Sequence, residues 1–585
     1  MTKKINKNGL YDYSGVNQRE ETIAFLLDFA KESRQNTENY WRKMQRYYDG
    51  KHDIAISAES FSGENSLPWV PAQSTDGYIH VETQIQPSVP DFEFCPRDKT
   101  DYDKAKQREK IVKYICDNNE LDYKNSRNER QLGIKGSAVW KVCWDGGLRL
   151  GGDMGDVAIV SPRPEEIYPD PTARDVDACE YIGYVYKMHR QKAQRVFGND
   201  FKKRGETLAD YLENASSWAT SFNYSSSEYG TDEDTVTITE WWFRQTSDGS
   251  MKSDDGDKTA YTWKSGDIAL SILINGKEVR YIPKYWKNTE CESFPFIIYS
   301  RIPNESSVWG RSELEAIIPL INAKDRELAF AQLNSAYSSN DIILVEENAF
   351  SDGEIPDNSP GSVWKLRPGM MGKVARLGNM ASAEGSLYTN SSYWQSLIES
   401  TTGNFEVNQG KEPSNVTTAT GIALLGERAQ SRKNLKNIDR NAGFKRLYSL
   451  IDMTSLEYYN DGRIVRLGLS EEDEFVYRFG GFIKKTRQER YIPAVDVTIH
   501  TGSAIANSKA FTVSALSSLI SMKINADNYK LVKAYVENTG IPERAEICEY
   551  LDKRFGNDEE KELDAEQLMN IIEKSITDME EDYDR

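Results

Sequence analysis

Five carboxylates, Glu165, Glu166, Asp170, Asp175 and Asp177, stand within thirteen residues around the turn Ile167-Tyr168-Pro169-Asp170-Pro171. Hard cations such as magnesium or calcium take clustered oxygen ligands, so one reading is a metal-dependent nucleic-acid enzyme. The plainer reading, a solvated acidic turn, is preferred: Asp and Glu are common in this chain, and no Lys or His stands at a spacing recognisable as a catalytic base. Other catalytic patterns are missing. The Gly-Lys pairs at 50–51, 276–277, 372–373 and 410–411 are not followed by Ser or Thr, so the sequence holds no phosphate-cradling P-loop and the chain is not a P-loop motor. The histidines His52, His80, His189 and His500 form neither an HExxH nor a near pair, and no Gly-x-Ser-x-Gly elbow occurs. Cys95, Cys116, Cys143, Cys179, Cys291 and Cys548 lie far apart without a CxxC, as expected of reduced, buried small hydrophobes. No catalytic residue, metal or cofactor is expected.

Basic residues offer a different chemistry. Arg428, Arg432, Lys436 and Arg440 recur every fourth residue, a stripe drifting along one helix. Such a stripe either faces phosphate or pairs with carboxylates of the same or a neighbouring subunit; in a chain of net charge −19 the pairing is preferred. Lys411 is a lone cation in a polar segment, suited to weak, transient phosphate contact. Lys365, Arg367, Lys373 and Arg376 alternate with apolar residues and face either DNA or another subunit. With 73 basic and 92 acidic residues, the chain lacks the cationic excess with which a repressor grips duplex DNA. A conduit has the opposite requirement, because each strong phosphate contact is a point of friction.

The elements that must position these groups belong to a folded α+β chain. Its 585 residues, 38% apolar and 11% aromatic, suffice for several cores. No apolar run approaches a transmembrane helix, and the basic stretch Met1–Gly9 is not followed by an apolar core, so the expectation is a chain that stays in the cytoplasm where it is made. Apolar spacing predicts helices over 18–49, 101–119 and 123–134, a strand over 138–144, and mostly strand and loop from 157 to 285. A long insertion rich in Ser, Asn and Gly falls at 214–234. Phe294–Tyr299 reads as a strand. A helix is predicted from Arg311 to about Ser339, opened by a Ser312-x-x-Glu315 capping box, with Pro319 as a kink. An irregular Gly/Pro-rich excursion follows, then a helix over 386–401, a polar segment over 403–420 expected to be mobile, and a long basic helix from Gly421 to Tyr459. Beyond these come strands over 463–467, 475–479 and 495–499, helices over 511–522, 529–538 and 541–555, and a tail over 558–585 with twelve acidic and three basic residues.

This order resembles that of tailed-bacteriophage portal proteins, the head-tail connector family. The likeness runs through Tyr47-Tyr48-Asp49-Gly50, Gly133 to Asp145, Tyr168-Pro169-Asp170-Pro171, Trp309-Gly310, Thr418-Ala419-Thr420-Gly421 and Val495 to Ser503, and so covers nearly the whole chain. It implies a wing over 1–305, a first stem helix over 306–340, a clip over 341–385, a second stem helix over 386–402, a tunnel loop over 403–420, a spanning helix over 421–461, a distal wing or crown over 462–556 and an acidic tail over 557–585. It also implies a cyclic homo-oligomer of about twelve copies at one capsid vertex of the virion, assembled in the host cytoplasm, through which double-stranded DNA is packaged and ejected. The implied partners are the terminase large subunit, a head-completion adaptor, and the major capsid and scaffold proteins, with no membrane and no catalysis. The DNA-channel candidates are Lys324, Arg326, Asn408, Lys411 and Asn415; the partner-docking candidates are Trp364, Lys365, Arg367, Lys373 and Arg376. A viral structural protein without a channel is the other alternative, alongside the metal-dependent enzyme.

Overall fold

A computed structural model describes residues 11–52, 73–86, 88–150, 153–212, 234–251, 261–289, 291–339, 343–346, 349–350, 365–376, 384–402, 419–459, 463–466, 474–476, 484–485, 490–491, 495–500 and 532–533. The chain divides into two units. One comprises Met1–Val89, Phe94–Glu412 and Arg432–Thr498; the other comprises Pro90–Glu93, Pro413–Ser431 and Ile499–Arg585. Of the second, the structure describes 90–93, 419–431, 499–500 and 532–533. The expected 214–234 insertion (up to 233), the 403–420 segment (up to 418), the helices over 511–522 and 541–555, and the acidic tail lie outside the described residues; of the helix over 529–538 only 532–533 are described, as helix.

In chain order the elements are α1 (Val16–Tyr48) and α2 (Asp76–Gln84), followed by β1 (Asp91–Pro96), α3 (Tyr102–Asn118) and α4 (Leu121–Lys135), with β1 and the last helix each divided between the two units. Next come β2 (Ser137–Leu150), β3 (Asp153–Val160), β4 (Ile167–Pro169), β5 (Tyr181–His189), α5 (Arg190–Arg204) and β6 (Thr235–Arg244). A short ribbon of β7 (Gly249–Met251) and β8 (Tyr261–Trp263) precedes β9 (Ile268–Ile274), β10 (Lys277–Ile282) and β11 (Phe296–Ser300). Then follow α6 (Ile318–Ser339), β12 (Ile343–Val345), β13 (Val374–Arg376), α7 (Glu384–Thr402) and α8 (Ala419–Tyr458). The mixture of helix and strand is the α+β arrangement expected.

Helix α1, about 50 Å long at 1.5 Å per residue, serves two cores. Ile23, Leu26, Leu27 and Ala30 recur at helical spacing and bury against Tyr168, Tyr181, Trp241, Phe243 and Leu273 of the sheet. Further along, Met44 and Tyr47 bury with Val81, Ile134, Leu314, Ile317, Ile318, Ile321 and Ile398. One rod thus ties the sheet to the base of α6 and α7. The sheet is antiparallel in the order β10-β9-β6-β5-β4. Strand β9, Ile-Ala-Leu-Ser-Ile-Leu-Ile, is buried at every position, which explains why it is apolar throughout except at Ser271, whose hydroxyl donates to Glu278 at 2.8 Å. A second sheet, β11-β2-β3, pairs Phe296 with Lys141 and Tyr299 with Ala138.

Two expectations are corrected. The first is α5, which falls where strand and loop were expected; Ala193, Phe197 and Phe201, four residues apart, are its buried face. The second is the start of the long helix, at Ile318 and not Arg311, because the Ser312–Glu315 box does not close on itself. The Ser312 N–H donates to the Tyr40 hydroxyl at 2.8 Å, and that hydroxyl donates to Glu315 at 3.0 Å. Tyr40 therefore stands between the two groups that would have capped each other, and residues 313–317 remain turns. Pro319 consequently sits in the first turn, where its missing N–H leaves no hydrogen bond unmade.

The chain enters this turn through a tight crossing. Gly136, at φ 82°, ends α4, and a Cβ there would lie 2.3 Å from the Arg311 carbonyl carbon. A Cβ on Gly310 would lie 2.3 Å from the Ser300 Cβ and 2.7 Å from the Gly136 oxygen. Only glycine lets the three backbones meet.

Candidate nucleic-acid and docking surfaces

Helices α6 and α7 pack along one another, and the excursion between them begins and ends in an antiparallel ribbon that pairs Ile343 with Arg376 and Val345 with Val374. A backbone bridge between Phe350 and Leu366 continues the pairing inside the excursion. The arrangement is two adjacent rods with a small β-knob at their turn. On α6, Lys324 donates to Asp76 at 2.6 Å and to Gln395 at 2.5 Å, so its charge ties α2, α6 and α7 together. Arg326, two residues on, is exposed, and Phe330 one turn later is 40% exposed. On α7, Tyr388 and Tyr393 are 54% and 60% exposed. On the knob, Lys365 and Arg367 are exposed, and Lys373 pairs with Glu346 at 2.8 Å with both side chains largely in solvent. Arg376 lies on β13 opposite Ile343, its side chain outside the described residues. Trp364, Asn408, Lys411 and Asn415 also lie outside them.

Along the stripe of α8, the side chains of Arg428, Arg432 and Lys436 are outside the described residues, whereas Arg440 is described and buried. Its Nε donates to Glu129 at 2.8 Å, and its other donors reach the Ser88 and Gln86 carbonyls at 2.9 and 3.3 Å. Glu129, fully buried on α4, also receives Arg301, which in turn donates to Glu313 at 3.2 Å. Burial works against the Arg301 charge, but Glu129 and Glu313 outweigh it and hold its pKa above the ordinary value. Farther along α8, Asp452 takes Arg108 of α3, and Glu457 accepts the backbone N–H groups of Lys287, Asn288 and Thr289 at 2.8–2.9 Å. Phe444 meets Trp140 and Tyr299 edge-on or tilted, and a Cβ on Gly443 would lie 2.7 Å from the Tyr299 ring. This half of α8 is fastened into the body by buried charge at three levels.

The pairing preferred for the stripe is found at Arg440, but its partner was not legible in the sequence, since Glu129 and Arg440 are 311 residues apart. One signal was available: Arg440 shares a helical face with Phe444, Leu447 and Ile451, all buried.

Four of the five carboxylates near the Pro-Asp-Pro turn are engaged separately, and Asp175 takes part through its backbone carbonyl, which accepts from the Ala178 N–H at 3.2 Å. Glu165 pairs with Lys135 and Glu166 with Arg163, Asp170 accepts from the Thr172 N–H and hydroxyl, and Asp177 pairs with Arg446. Among the described residues no group of three or more His, Cys, Asp or Glu is arranged to hold a metal ion. His52 lies against Asp325 with its other ring nitrogen 3.3 Å from the Tyr47 carbonyl, an anchor between α1 and α6. The described cysteines are free thiols, and burial pushes Cys179 up to about 12. No described helix is long and apolar enough to cross a membrane.

The family model described as phage P22-like portal protein matches residues 80–575. No curated protein matches the chain.

Proposed function

The chain belongs to the phage P22-like portal protein family, and from that membership we propose that copies of it close into a ring, of about twelve, lining a channel for double-stranded DNA at one capsid vertex. A phage portal protein is a structural component of the particle, and the proposal adds what each part of this chain does. Helices α6 and α7 form the stem, and the β12–β13 knob, with residues 341–385, forms the clip. Residues 403–420 form the tunnel loop, α8 spans the wing, and residues 1–305 with 462–556 form the wing and crown. The single observation that carries this reading is the pair of adjacent rods with a ribbon at their turn, bearing exposed aromatic residues while the C-terminal half of α8 is held in the body by buried charge. Exposed apolar side chains on a rod are a cost to a monomer and a contact surface in a ring.

In this reading Arg326 on α6, with Asn408, Lys411 and Asn415, meets passing phosphates weakly. Lys324, already spanning Asp76 and Gln395, holds the stem to α2 and contributes to the channel through position more than charge. Lys365, Arg367, Lys373, Arg376 and Trp364 face the packaging terminase and later the head-completion adaptor, while the wing meets capsid and scaffold proteins. Of the basic stripe, Arg440 fixes α8, and Arg428, Arg432 and Lys436 face a neighbouring subunit or DNA. Negative-stain images of the purified full chain test the proposal. Closed rings with a central hole are expected; filaments, sheets or persistent monomers would remove it.

A further inference from the structure

Helix α5 carries six basic residues and one acidic residue in a chain of net charge −19. At 100° per residue, Lys192, Arg195, Asn199, Lys202 and Lys203 fall within about a third of its circumference, all exposed, opposite the buried Ala193, Phe197 and Phe201. The lone acid, Asp200, is taken by Arg280 at 2.5 Å, and Arg204 is taken by the Glu278 carbonyl at 2.6 Å. Several buried cations elsewhere in the first unit are spent on carboxylates: Arg19 on Glu278, Lys141 on Glu240, Arg108 on Asp452, Arg440 on Glu129. Lys192, Arg195, Lys202 and Lys203 have no carboxylate partner among the described residues. They form a straight cationic strip about 17 Å long, with 1.5 Å of rise per residue.

We infer that this face of α5 binds the sugar-phosphate backbone of duplex DNA without regard to sequence, a second DNA contact of the portal distinct from the channel reading. The inference rests on the portal reading only in that DNA is then present. Four cations without a carboxylate partner on a rigid rod match a regular row of phosphates, and contacts to phosphate carry no sequence information. The net negative charge of the chain does not forbid it: at 0.1 M salt the screening length is about 10 Å, so acidic residues farther away are largely screened while the strip acts locally. An acidic protein segment is the competing occupant. It requires carboxylates at matching spacing, whereas a duplex offers phosphates along its whole length.

The test is the salt dependence of binding of a fluorescent 30-base-pair duplex to the full chain, with a polyglutamate peptide as competitor. Neutralising four phosphate contacts gives a slope of log affinity on log salt of about −3.6, and roughly a hundredfold loss from 50 to 200 mM. The quadruple variant Lys192→Ala, Arg195→Ala, Lys202→Ala, Lys203→Ala is expected to lose that slope, and Lys192→Arg with Lys202→Arg and Lys203→Arg to keep it. An unchanged slope in the alanine variant, or loss of binding in the arginine variant, overturns the inference. So does polyglutamate displacing the duplex at equal charge concentration. Images of the same samples separate the two proposals: rings without α5-dependent binding sink this inference alone, and α5-dependent binding without rings sinks the portal channel alone.

Discussion

The C-terminal half of α8 and the α6–α7 hairpin are both helical, yet they treat charge and apolar surface in opposite ways. On α8, Arg440, Asp452 and Glu457 are buried and each is answered by a group of the same chain, with Phe444 and Gly443 closing on Trp140 and Tyr299. On the hairpin, one end is fixed by Lys324, Asp325 and Ile398, while Arg326, Phe330, Tyr388 and Tyr393 face outward. A helix whose buried charges are answered within the chain is held by its own fold. One that exposes aromatics along its length is finished by something else, and under the portal reading that is the next copy of the chain.

The largest effect that would sharpen this contrast is expected at Glu129. Glu129→Gln removes the carboxylate shared by Arg301 and Arg440, leaving Arg440 buried without a counter-charge; a loss on the order of 3–5 kcal/mol is expected in urea denaturation. Adding Arg440→Met should recover part of it, and no recovery would mean the two do not act as a unit. Next comes the backbone crossing. Gly310→Ala places a methyl within 2.3 Å of the Ser300 Cβ and should cost about 1–3 kcal/mol, read as a lower urea midpoint at unchanged slope.

A graded effect follows from pH. Burial raises the Glu278 carboxyl, but the two-pronged Arg19 guanidinium, the Ser271 hydroxyl and Arg204 outweigh it and hold its pKa below the ordinary value. A depressed carboxyl stabilises the fold above the unfolded glutamate pKa of about 4.3 and loses that contribution as pH falls through the folded value. Stability of the body should therefore drop on acidification below about pH 4.3, and Glu278→Gln should flatten that part of the profile. A profile unchanged by the substitution would break the assignment. The smallest effect is expected on the knob: Lys373→Ala removes an exposed pair and should change stability by less than about 1 kcal/mol. A larger loss would mean that the knob is held as the body is.

Much of this contrast was legible in residue order. The long first helix, the strand at Ala138–Trp144 and the two rods separated by a Gly/Pro-rich excursion follow from local periodicity and breakers, and they appear where spacing put them. The start of α6 was not legible, because the Tyr40 hydroxyl that intercepts the Ser312–Glu315 box comes from 272 residues away. The knots at Glu129 and Asp452 are hidden for the same reason: an ion pair between distant segments leaves no local pattern. Helix α5 was legible in principle, through Ala193, Phe197 and Phe201, but its charged exterior and the strands around it masked the period. The channel candidates at Asn408, Lys411 and Asn415 rest on sequence and on the family.

Coverage of the hairpin by neighbouring copies is tested most directly by oxidative footprinting of assembled particles against the monomeric chain. Phe330, Tyr388 and Tyr393 should lose reactivity on assembly, with the 62% exposed Tyr123 of α4 as an internal comparison within the body. Equal labelling of the three hairpin residues in monomer and particle would contradict the account.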